Sequence, residues 1–247
     1  MKRESTTVAQ SRPFPYADYV SARDALTTAL AGPRFYATVT GHSGMGKTSL
    51  VRELAASLDR HRYTVVYLSS ARLSGLGLVT VLAQKLHLSP RRTYLETVSL
   101  LAEALAAQSS HLVLWIDEAD QVPLALLQET RMLAEPDVGS DQLVSVVLSG
   151  LPALLSALDS PALFPLKRRI ARRLLLAGLR RDELDGFLLH RFGADQARLS
   201  QAVRDELFER TGAAPALLDS VVRRALDRGT GDVDQEALRG VLNAAGL

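Results

Sequence analysis

The sequence predicts an α/β fold, in which a parallel five-stranded sheet carries helices on both faces and is followed by a small all-helical lid. Short apolar runs of strand character alternate with longer segments of helical period, the pattern of a parallel sheet covered on both sides. After about residue 178 the strand signal ends and only helical segments follow. We therefore expect a core with an N-terminal arm over residues 1–177 and a helical lid over residues 178–247.

The strands and helices of the predicted core alternate along the chain. Five short apolar runs predict strands near 35–40, 64–69, 111–117, 142–149 and 171–176. Segments of helical period predict helices near 46–58, 76–88, 93–108, 123–134 and 152–158. In the lid, turns at Gly193, Gly212 and 229–231 separate predicted helices at 181–191, 199–211, 214–228 and 233–243.

A glycine-rich loop joins the first predicted strand to the helix that follows it. Its sequence, Gly41-His42-Ser43-Gly44-Met45-Gly46-Lys47-Thr48, meets every fixed position of the phosphate-binding loop pattern. The glycines let main-chain N–H groups turn around a phosphate, Lys47 supplies a positive charge, and the Thr48 hydroxyl is a ligand for Mg²⁺. A glycine turn of chance similarity is the alternative, which the strand, loop, helix order disfavours. The sequence thus predicts a nucleoside triphosphate site formed by Gly41, His42, Ser43, Gly44, Met45, Gly46, Lys47, Thr48 and Ser49.

Acidic residues follow the buried strand predicted at 111–117. Asp117 at the strand tip is the expected Mg²⁺ partner of Thr48, and Glu118 is the expected group that orients and activates the attacking water. Either acid has an alternative interpretation as an ordinary helix cap, and for Asp120 the cap is the favoured one. Ser149 ends the next strand; it either contacts the γ-phosphate or the attacking water, or serves as a turn residue. We therefore predict catalytic roles for Lys47, Asp117, Glu118 and Ser149.

Composition narrows the class of protein. The chain has no cysteine, which excludes disulfides and thiolate metal sites, and no grouping of acids and histidines has metal-ligand spacing, so Mg²⁺ brought with nucleotide is the metal that we expect. Net charge is only +2, yet no acidic residue lies between Asp159 and Asp182, where seven basic residues are concentrated. This basic stretch is either a solvated surface or a contact for phosphate groups. Neither a secretion signal nor a run long enough to span a membrane is present, so we expect a soluble, cytoplasmic protein.

These motifs, in this order, resemble those of the AAA+ ATPases, and within them the group of the TnsC, TniB and MuB transposition regulators and the ExeA-type ATPases. The resemblance covers about residues 14–240 and rests on five segments. The phosphate loop and the acidic strand are specific for nucleotide hydrolysis, whereas the other three are softer and support the subgroup. The segments are Gly41–Thr48, Leu112–Asp120, Val146–Leu154, Leu166–Ile170 and Thr211–Pro215.

The resemblance implies further site residues. Family members act as rings or helical filaments in which an arginine of one subunit reaches the γ-phosphate of its neighbour; this implies Arg169 here, with Arg168 as the second choice. Tyr16 lies where the family builds its adenine pocket, although packing of the N-terminal arm is an equal alternative. Pro215 matches the lid proline, but Ala216 stands where many relatives have an arginine, which makes slow hydrolysis or lid closure without that arginine plausible.

Three functions compete at this point. The first is a Mg²⁺-dependent ATPase that forms ATP-driven homo-oligomers on duplex DNA, contacts the phosphate backbone, and directs a transposase to its target. The second is an ExeA-like ATPase that serves secretion or envelope assembly, and the third is a signalling NTPase switch with a protein effector. The absence of the usual guanine-reading motif and the family resemblance both favour ATP over GTP.

Overall fold

The strands found are β1 (Tyr36–Thr40), β2 (Tyr63–Ser69), β3 (His111–Asp117), β4 (Val144–Gly150) and β5 (Ile170–Leu175). They form one sheet in the order β2, β3, β4, β1, β5, and every neighbouring pair is parallel. The structure is a computed structural model, and it describes residues 12–70, 77–107, 110–134 and 144–247. The predicted parallel five-stranded sheet is therefore confirmed.

Helices alternate with the strands along the chain, and further helices follow the last strand. In the first 175 residues they are α1 (Ala17–Leu30), α2 (Lys47–Ser57), α3 (Leu78–Lys85), α4 (Tyr94–Ala107), α5 (Leu124–Ala134), α6 (Ala153–Leu158) and α7 (Phe164–Lys167). The C-terminal helices are α8 (Leu184–Phe192), α9 (Gln201–Arg210), α10 (Pro215–Leu226) and α11 (Gln235–Ala244). No described helix is both long and apolar enough to cross a membrane.

Because the strands are parallel and in register, their carboxyl ends lie together at the same end of the sheet. Thr40 of β1 is opposite Gly150 of β4, and Ile116 of β3 is opposite Leu148 of β4. Asp117, one residue further along β3, is opposite Ser69 of β2. β4 lies between β3, the acidic strand, and β1, the strand before the glycine loop. The carboxyl ends of β3 and β1 therefore both lie next to the end of β4.

The central strands explain why the sequence shows apolar runs without alternation. Every residue of β1 and β4 is buried, as is every residue of β3 after His111. Helices α3 to α6 add leucines and valines to the same core, for example Leu82, Leu101 and Leu154. A strand covered on both faces must be apolar at successive positions, which is the signal that the sequence carries.

Two parts of the prediction need correction. The segment before β1 was expected to be an arm, but it forms the four-turn helix α1. A 3-10 segment, Pro161–Leu163, and the short helix α7 lie before β5, where no element was predicted. The predicted positions 1–11, 76, 108 and 142–143 lie outside the described residues.

The chain divides into two compact units. One contains 22–41 and 47–175, and so holds the whole sheet; the other contains Leu176–Leu247 together with His42–Gly46 and the described residues 12–21. The division into a core over residues 1–177 and a lid over residues 178–247 stays a prediction. Within the second unit, α9, α10 and α11 bury apolar faces such as Leu207, Val222 and Leu242.

Candidate nucleotide site

The glycine loop between β1 and α2 has the backbone that the motif requires. Gly44 and Gly46 have φ of 79° and 93°, angles that residues with a Cβ rarely adopt. Gly41 has no positive φ; its N–H donates to the carbonyl of Gly150 at 3.3 Å and thereby ties the start of the loop to the end of β4. Two of the three glycines thus serve the curvature of the loop, and the third serves its anchorage.

The middle of the loop, His42–Gly46, is held by residues of its own compact unit. The hydroxyl of Tyr16 donates to the Met45 carbonyl at 2.5 Å, and the N–H of Ala216 donates to the Gly44 carbonyl at 3.2 Å. A Cβ on Gly44 would meet that of Ala216 at 3.2 Å, which is tighter than ordinary contact. Ala216, the residue after Pro215, therefore contacts the loop through its main chain.

Tyr16 is placed differently from a residue that lines an open pocket. Its side chain is 2% exposed and lies beside Tyr19, with ring centroids 5.7 Å apart. Burial first, and then Asp18 and Glu183, raise the pKa of its hydroxyl, which keeps it a hydrogen-bond donor. Tyr16 supports the loop from within, and a contact with adenine stays a prediction.

Lys47 and Thr48 begin helix α2 and lie close to the acids of β3. The Lys47 ammonium is half-buried and donates to the Gly41 carbonyl at 2.7 Å. Burial lowers the pKa of Lys47, while Asp117 and Asp120 act in the opposite direction. The Thr48 hydroxyl donates to Oδ2 of Asp117 at 3.0 Å. A half-buried cation and a helix N-terminus that face acidic groups fit a bound phosphate with its metal.

The carboxylate of Asp117 accepts four hydrogen bonds although the residue is only 4% exposed. Oδ1 accepts from the Ser149 hydroxyl at 2.6 Å and from the Glu118 N–H at 3.0 Å. Oδ2 accepts from the Tyr67 hydroxyl at 2.8 Å and from Thr48. A buried carboxylate with this many donors is fixed in orientation.

Glu118 has an unusual backbone for a residue with a side chain. Its φ and ψ are 54° and 38°, in the left-handed region, and its side chain is exposed. The Ser70 hydroxyl, just after β2, donates to Oε2 of Glu118 at 2.7 Å. Glu118 thus has a strained backbone and an exposed carboxylate next to the buried carboxylate of Asp117. This arrangement agrees with the predicted roles, activation of water by Glu118 and binding of Mg²⁺ by Asp117.

Asp120 forms a turn contact instead of a helix cap. Its Oδ1 accepts from the Leu151 N–H at 2.8 Å, the first amide after β4. A Cβ on Gly150 would collide with the same Asp120 oxygen, so a side chain there would displace the Asp120 carboxylate from this contact. Asp120 thus fastens the end of β4 beside the acid pair, which agrees with a structural role.

The remaining predicted site residues are placed as follows. Ser149 is fully buried, donates to Asp117, and accepts from the indole Nε1 of Trp115 at 2.7 Å, so its hydroxyl contacts the acid of β3 in this structure. Arg169 directly precedes β5, and Arg168 is exposed beside it. His42, Ser43 and Ser49 lie on the loop or at the start of α2, with the first two exposed.

Sequence reasoning missed three residues of this network: Tyr67, Ser70 and Trp115. Tyr67 lies near the end of β2, which is hydrogen-bonded to β3, and Ser70 directly follows β2. The available signal was that polar side chains end a strand adjacent to the acidic strand, but that signal requires the sheet order. The described residues contain no cluster of three or more His, Asp or Glu side chains that would hold a metal ion alone.

A family model described as the AAA domain matches residues 34–158, half of the chain. The chain belongs to the AAA domain family. General secretion pathway protein A of Aeromonas hydrophila is 26% identical over 201 residues, which cover 77% of this chain and 36% of that protein. This AAA protein therefore spans about a third of the length of that relative.

Solved structures with the same fold include Cdc6p from Pyrobaculum aerophilum, at 19% identity and a TM-score of 0.66 over 96% of this chain and 69% of that one. Drosophila ORC bound to DNA matches with 16% identity and a TM-score of 0.68 over 98% of this chain and 63% of that one. At these identities the likeness shows the fold, and the predicted AAA+ P-loop ATPase fold is confirmed. The AAA+ fold implies nucleotide binding.

Proposed function

We propose that this AAA protein binds ATP with Mg²⁺ and hydrolyses it to ADP and phosphate. The observation that carries the proposal is the buried Asp117 carboxylate, which accepts from Thr48 at 3.0 Å beside a strained and exposed Glu118. Lys47 is the cation for the β- and γ-phosphates, and Thr48 with Asp117 would hold the metal, the remaining ligands being phosphate and water. The metal, when bound, neutralises charge that develops on the phosphates.

Glu118 is proposed to take the proton of the attacking water. Its carboxylate is exposed and held from one side by Ser70, so an oxygen remains accessible. Ser149 is proposed to act through Asp117, since its hydroxyl is already shared between that carboxylate and Trp115. Proton transfer by a positioned carboxylate contributes about 10²–10⁴ in rate.

The proposed nucleotide site is tested by Lys47→Ala. We expect calorimetry to show Mg²⁺-dependent ATP binding by the wild type and none by the variant, because the variant lacks the phosphate-binding ammonium. Lys85→Ala, at the exposed end of α3, is the matched control and should bind as the wild type does. Equal affinity of the Lys47 variant and the wild type would contradict the proposal.

Arg169 is proposed to reach the γ-phosphate of a neighbouring subunit in a homo-oligomer. Such an arginine is supplied in trans, so two inactive variants should complement each other. The Arg169→Ala subunit keeps both acids, and the Glu118→Gln subunit keeps the arginine. A mixture of the two should hydrolyse ATP when neither does alone; a mixture as inactive as its components would argue against Arg169, and Arg168→Ala tests the second choice in the same way.

Duplex DNA is the proposed partner, with target selection in transposition as the proposed process. Three things support it: the resemblance to transposition regulators, the basic residues around β5, and a structural neighbour that is described as bound to DNA. Contact with the phosphate backbone would make binding nearly independent of base sequence and strongly dependent on salt. Retention of labelled duplex with ATP but not without nucleotide is the expected outcome.

A secretion role is the second candidate, and the identity with general secretion pathway protein A favours it. The two candidates give opposite results in one pair of assays. A DNA-acting ATPase retards duplex DNA at low salt and stays in the supernatant when lipid vesicles are sedimented. A protein that neither retards DNA nor oligomerises on it, but co-purifies with membranes, would support the secretion role.

A further inference from the structure

The Asp117 carboxylate is held by two unlike sets of donors. On the buried side, Trp115 Nε1 donates to Ser149 Oγ at 2.7 Å, and that hydroxyl donates to Oδ1 of Asp117 at 2.6 Å; both donors are fully buried. On the other side, Oδ2 accepts from Thr48 at 3.0 Å and from Tyr67 at 2.8 Å. Tyr67 is 38% exposed, in contrast to the buried pair.

These donors differ in whether another group can displace them from the Asp117 carboxylate. A carboxylate oxygen offers two acceptor positions, so Thr48 and Tyr67 fill Oδ2. Loss of the Ser149 contact would leave the buried Trp115 indole N–H without its hydroxyl partner and Oδ1 with the Glu118 N–H alone, which is costly. The Thr48 hydroxyl can offer its oxygen to a cation while its hydrogen still points at Asp117. Tyr67 is the donor that water can replace.

The position of Tyr67 in the fold also favours exchange. It lies on β2, which is the edge strand of the described sheet and is hydrogen-bonded there to β3, and its neighbours Val66 and Leu68 are buried. The strand is therefore fixed by apolar contacts that do not involve the phenol. A tyrosine phenol is protonated at neutral pH, so Tyr67 stays a hydrogen-bond donor to Asp117.

We propose that Tyr67 is a displaceable positioning residue that occupies the Oδ2 position needed by the water shell of magnesium, whereas Trp115 and Ser149 hold the carboxylate with and without metal. The phenol then competes with the metal and lowers the magnesium affinity of the site. It also keeps the Asp117 carboxylate satisfied when no metal is present. This inference rests on the proposed magnesium–nucleotide site.

The test compares Tyr67→Phe with Tyr63→Phe, the same change on the same strand. The Tyr63 hydroxyl donates to the Leu30 carbonyl at 3.1 Å, and Tyr63 lies opposite His111 at the other end of β3. Magnesium is titrated into each protein saturated with a slowly hydrolysed ATP analogue. Calorimetry and the fluorescence of Trp115, the only tryptophan of the chain, report binding.

Tyr67→Phe should bind magnesium about tenfold more tightly than the wild type, because one hydrogen bond to a charged group no longer competes. Tyr63→Phe should match the wild type. Ser149→Ala should bind magnesium more weakly, since it loosens the carboxylate and frees a position on Oδ1 instead of on Oδ2. Circular dichroism spectra that match that of the wild type show that both phenylalanine variants are folded.

The outcomes separate this inference from the proposed function. If the wild type shows no magnesium-dependent nucleotide binding, both are overturned. If the wild type binds magnesium and nucleotide but Tyr67→Phe has the same or a lower magnesium affinity, only the role of Tyr67 is overturned. Opposite shifts for Tyr67→Phe and Ser149→Ala support it.

Discussion

At the scale of single residues, the two neighbouring acids of β3 are prepared in opposite ways. Asp117 is buried and fixed by four hydrogen bonds, whereas Glu118 is exposed, has one hydroxyl partner among the described residues, and has a left-handed backbone. A non-glycine residue in that region costs about 1–2 kcal/mol. A strained backbone at Glu118, close to the glycine loop, is consistent with a catalytic role for this residue.

This contrast predicts that Glu118 variants separate stability from hydrolysis. Glu118→Gln should lower the rate of ATP hydrolysis by about 10²–10⁴ and leave nucleotide binding intact, because only the proton acceptor is lost. Glu118→Gly should lose hydrolysis equally and raise the free energy of unfolding by up to about 1 kcal/mol, because the relief of left-handed strain exceeds the extra chain entropy that glycine loses on folding. Phosphate release and denaturant unfolding measure the two effects. A Gln variant with normal turnover would exclude Glu118 as the base.

At this scale, the sequence predicted residues within one contiguous motif but not contacts between residues that are far apart in the chain. The loop over 41–48 and the acid pair were predictable because each motif is contiguous. Tyr67, Ser70 and Trp115 were not, since their contacts exist only because β3 is placed between β2 and β4. The predicted choice for Ser149 between a phosphate contact and a turn residue also omitted its contact with Asp117.

At the scale of elements, the strands were the easiest to predict and α1 the hardest. The strands are buried on both faces, so their apolar runs are unambiguous. The buried face of α1 consists of Tyr19, Ala22, Leu26 and Leu30, which is diluted by alanine and threonine. Its first N–H, that of Ala17, donates at 2.7 Å to Glu183, 166 residues away, so the helix start is stabilised by a contact that no local pattern contains.

Asp219 links two C-terminal helices and predicts a pH-dependent stability. It accepts from Arg191 of α8 at 2.8 Å and from Arg223, one turn further on α10, at 2.9 Å. Arg223 is thus paired with an acid of its own helix. Burial tends to raise the pKa of Asp219, but the hydrogen bonds from Arg223 and Arg191 outweigh it and hold the pKa below the ordinary 3.8.

A lowered folded-state pKa means that the stabilisation is complete above the unfolded value and disappears as pH falls through the folded value. At pH 7, Asp219→Asn should lower the free energy of unfolding by about 1–3 kcal/mol. The difference between the proteins should shrink below pH 3.8 as the wild-type carboxylate is protonated. Denaturant unfolding at neutral and acidic pH measures this, with exposed Asp232→Asn as the control. A difference independent of pH would exclude the ion network as its source.

At the scale of the whole molecule, the arginines fall into two classes. In the C-terminal unit many form ion pairs with acids of that unit: Arg180, Arg181, Arg191, Arg204, Arg223 and Arg239. In the unit that holds the sheet, Arg168, Arg172 and Arg173 are exposed and form no ion pair within the described residues, although Lys167 beside them pairs with Asp159. Guanidinium groups already paired contribute little to phosphate binding, and Arg168, Arg172 and Arg173 lie close together in the basic stretch around β5, so β5 is where the proposed DNA contact is expected.

This distribution predicts which arginines govern the salt dependence of DNA binding. Arg172→Ala combined with Arg173→Ala should reduce the slope of log affinity against log salt by about 2, because each lost phosphate contact removes about 0.9. The matched control is Arg60→Ala with Arg62→Ala, two exposed arginines before β2 at the opposite edge of the sheet. Binding of a duplex is measured by fluorescence anisotropy with an ATP analogue at several salt concentrations. DNA-free ATP hydrolysis should be the same in all three proteins, which separates this contact from the nucleotide site. Equal slopes for the two double variants would place the DNA surface elsewhere, and no measurable duplex binding by the wild type at low salt would favour the secretion role instead.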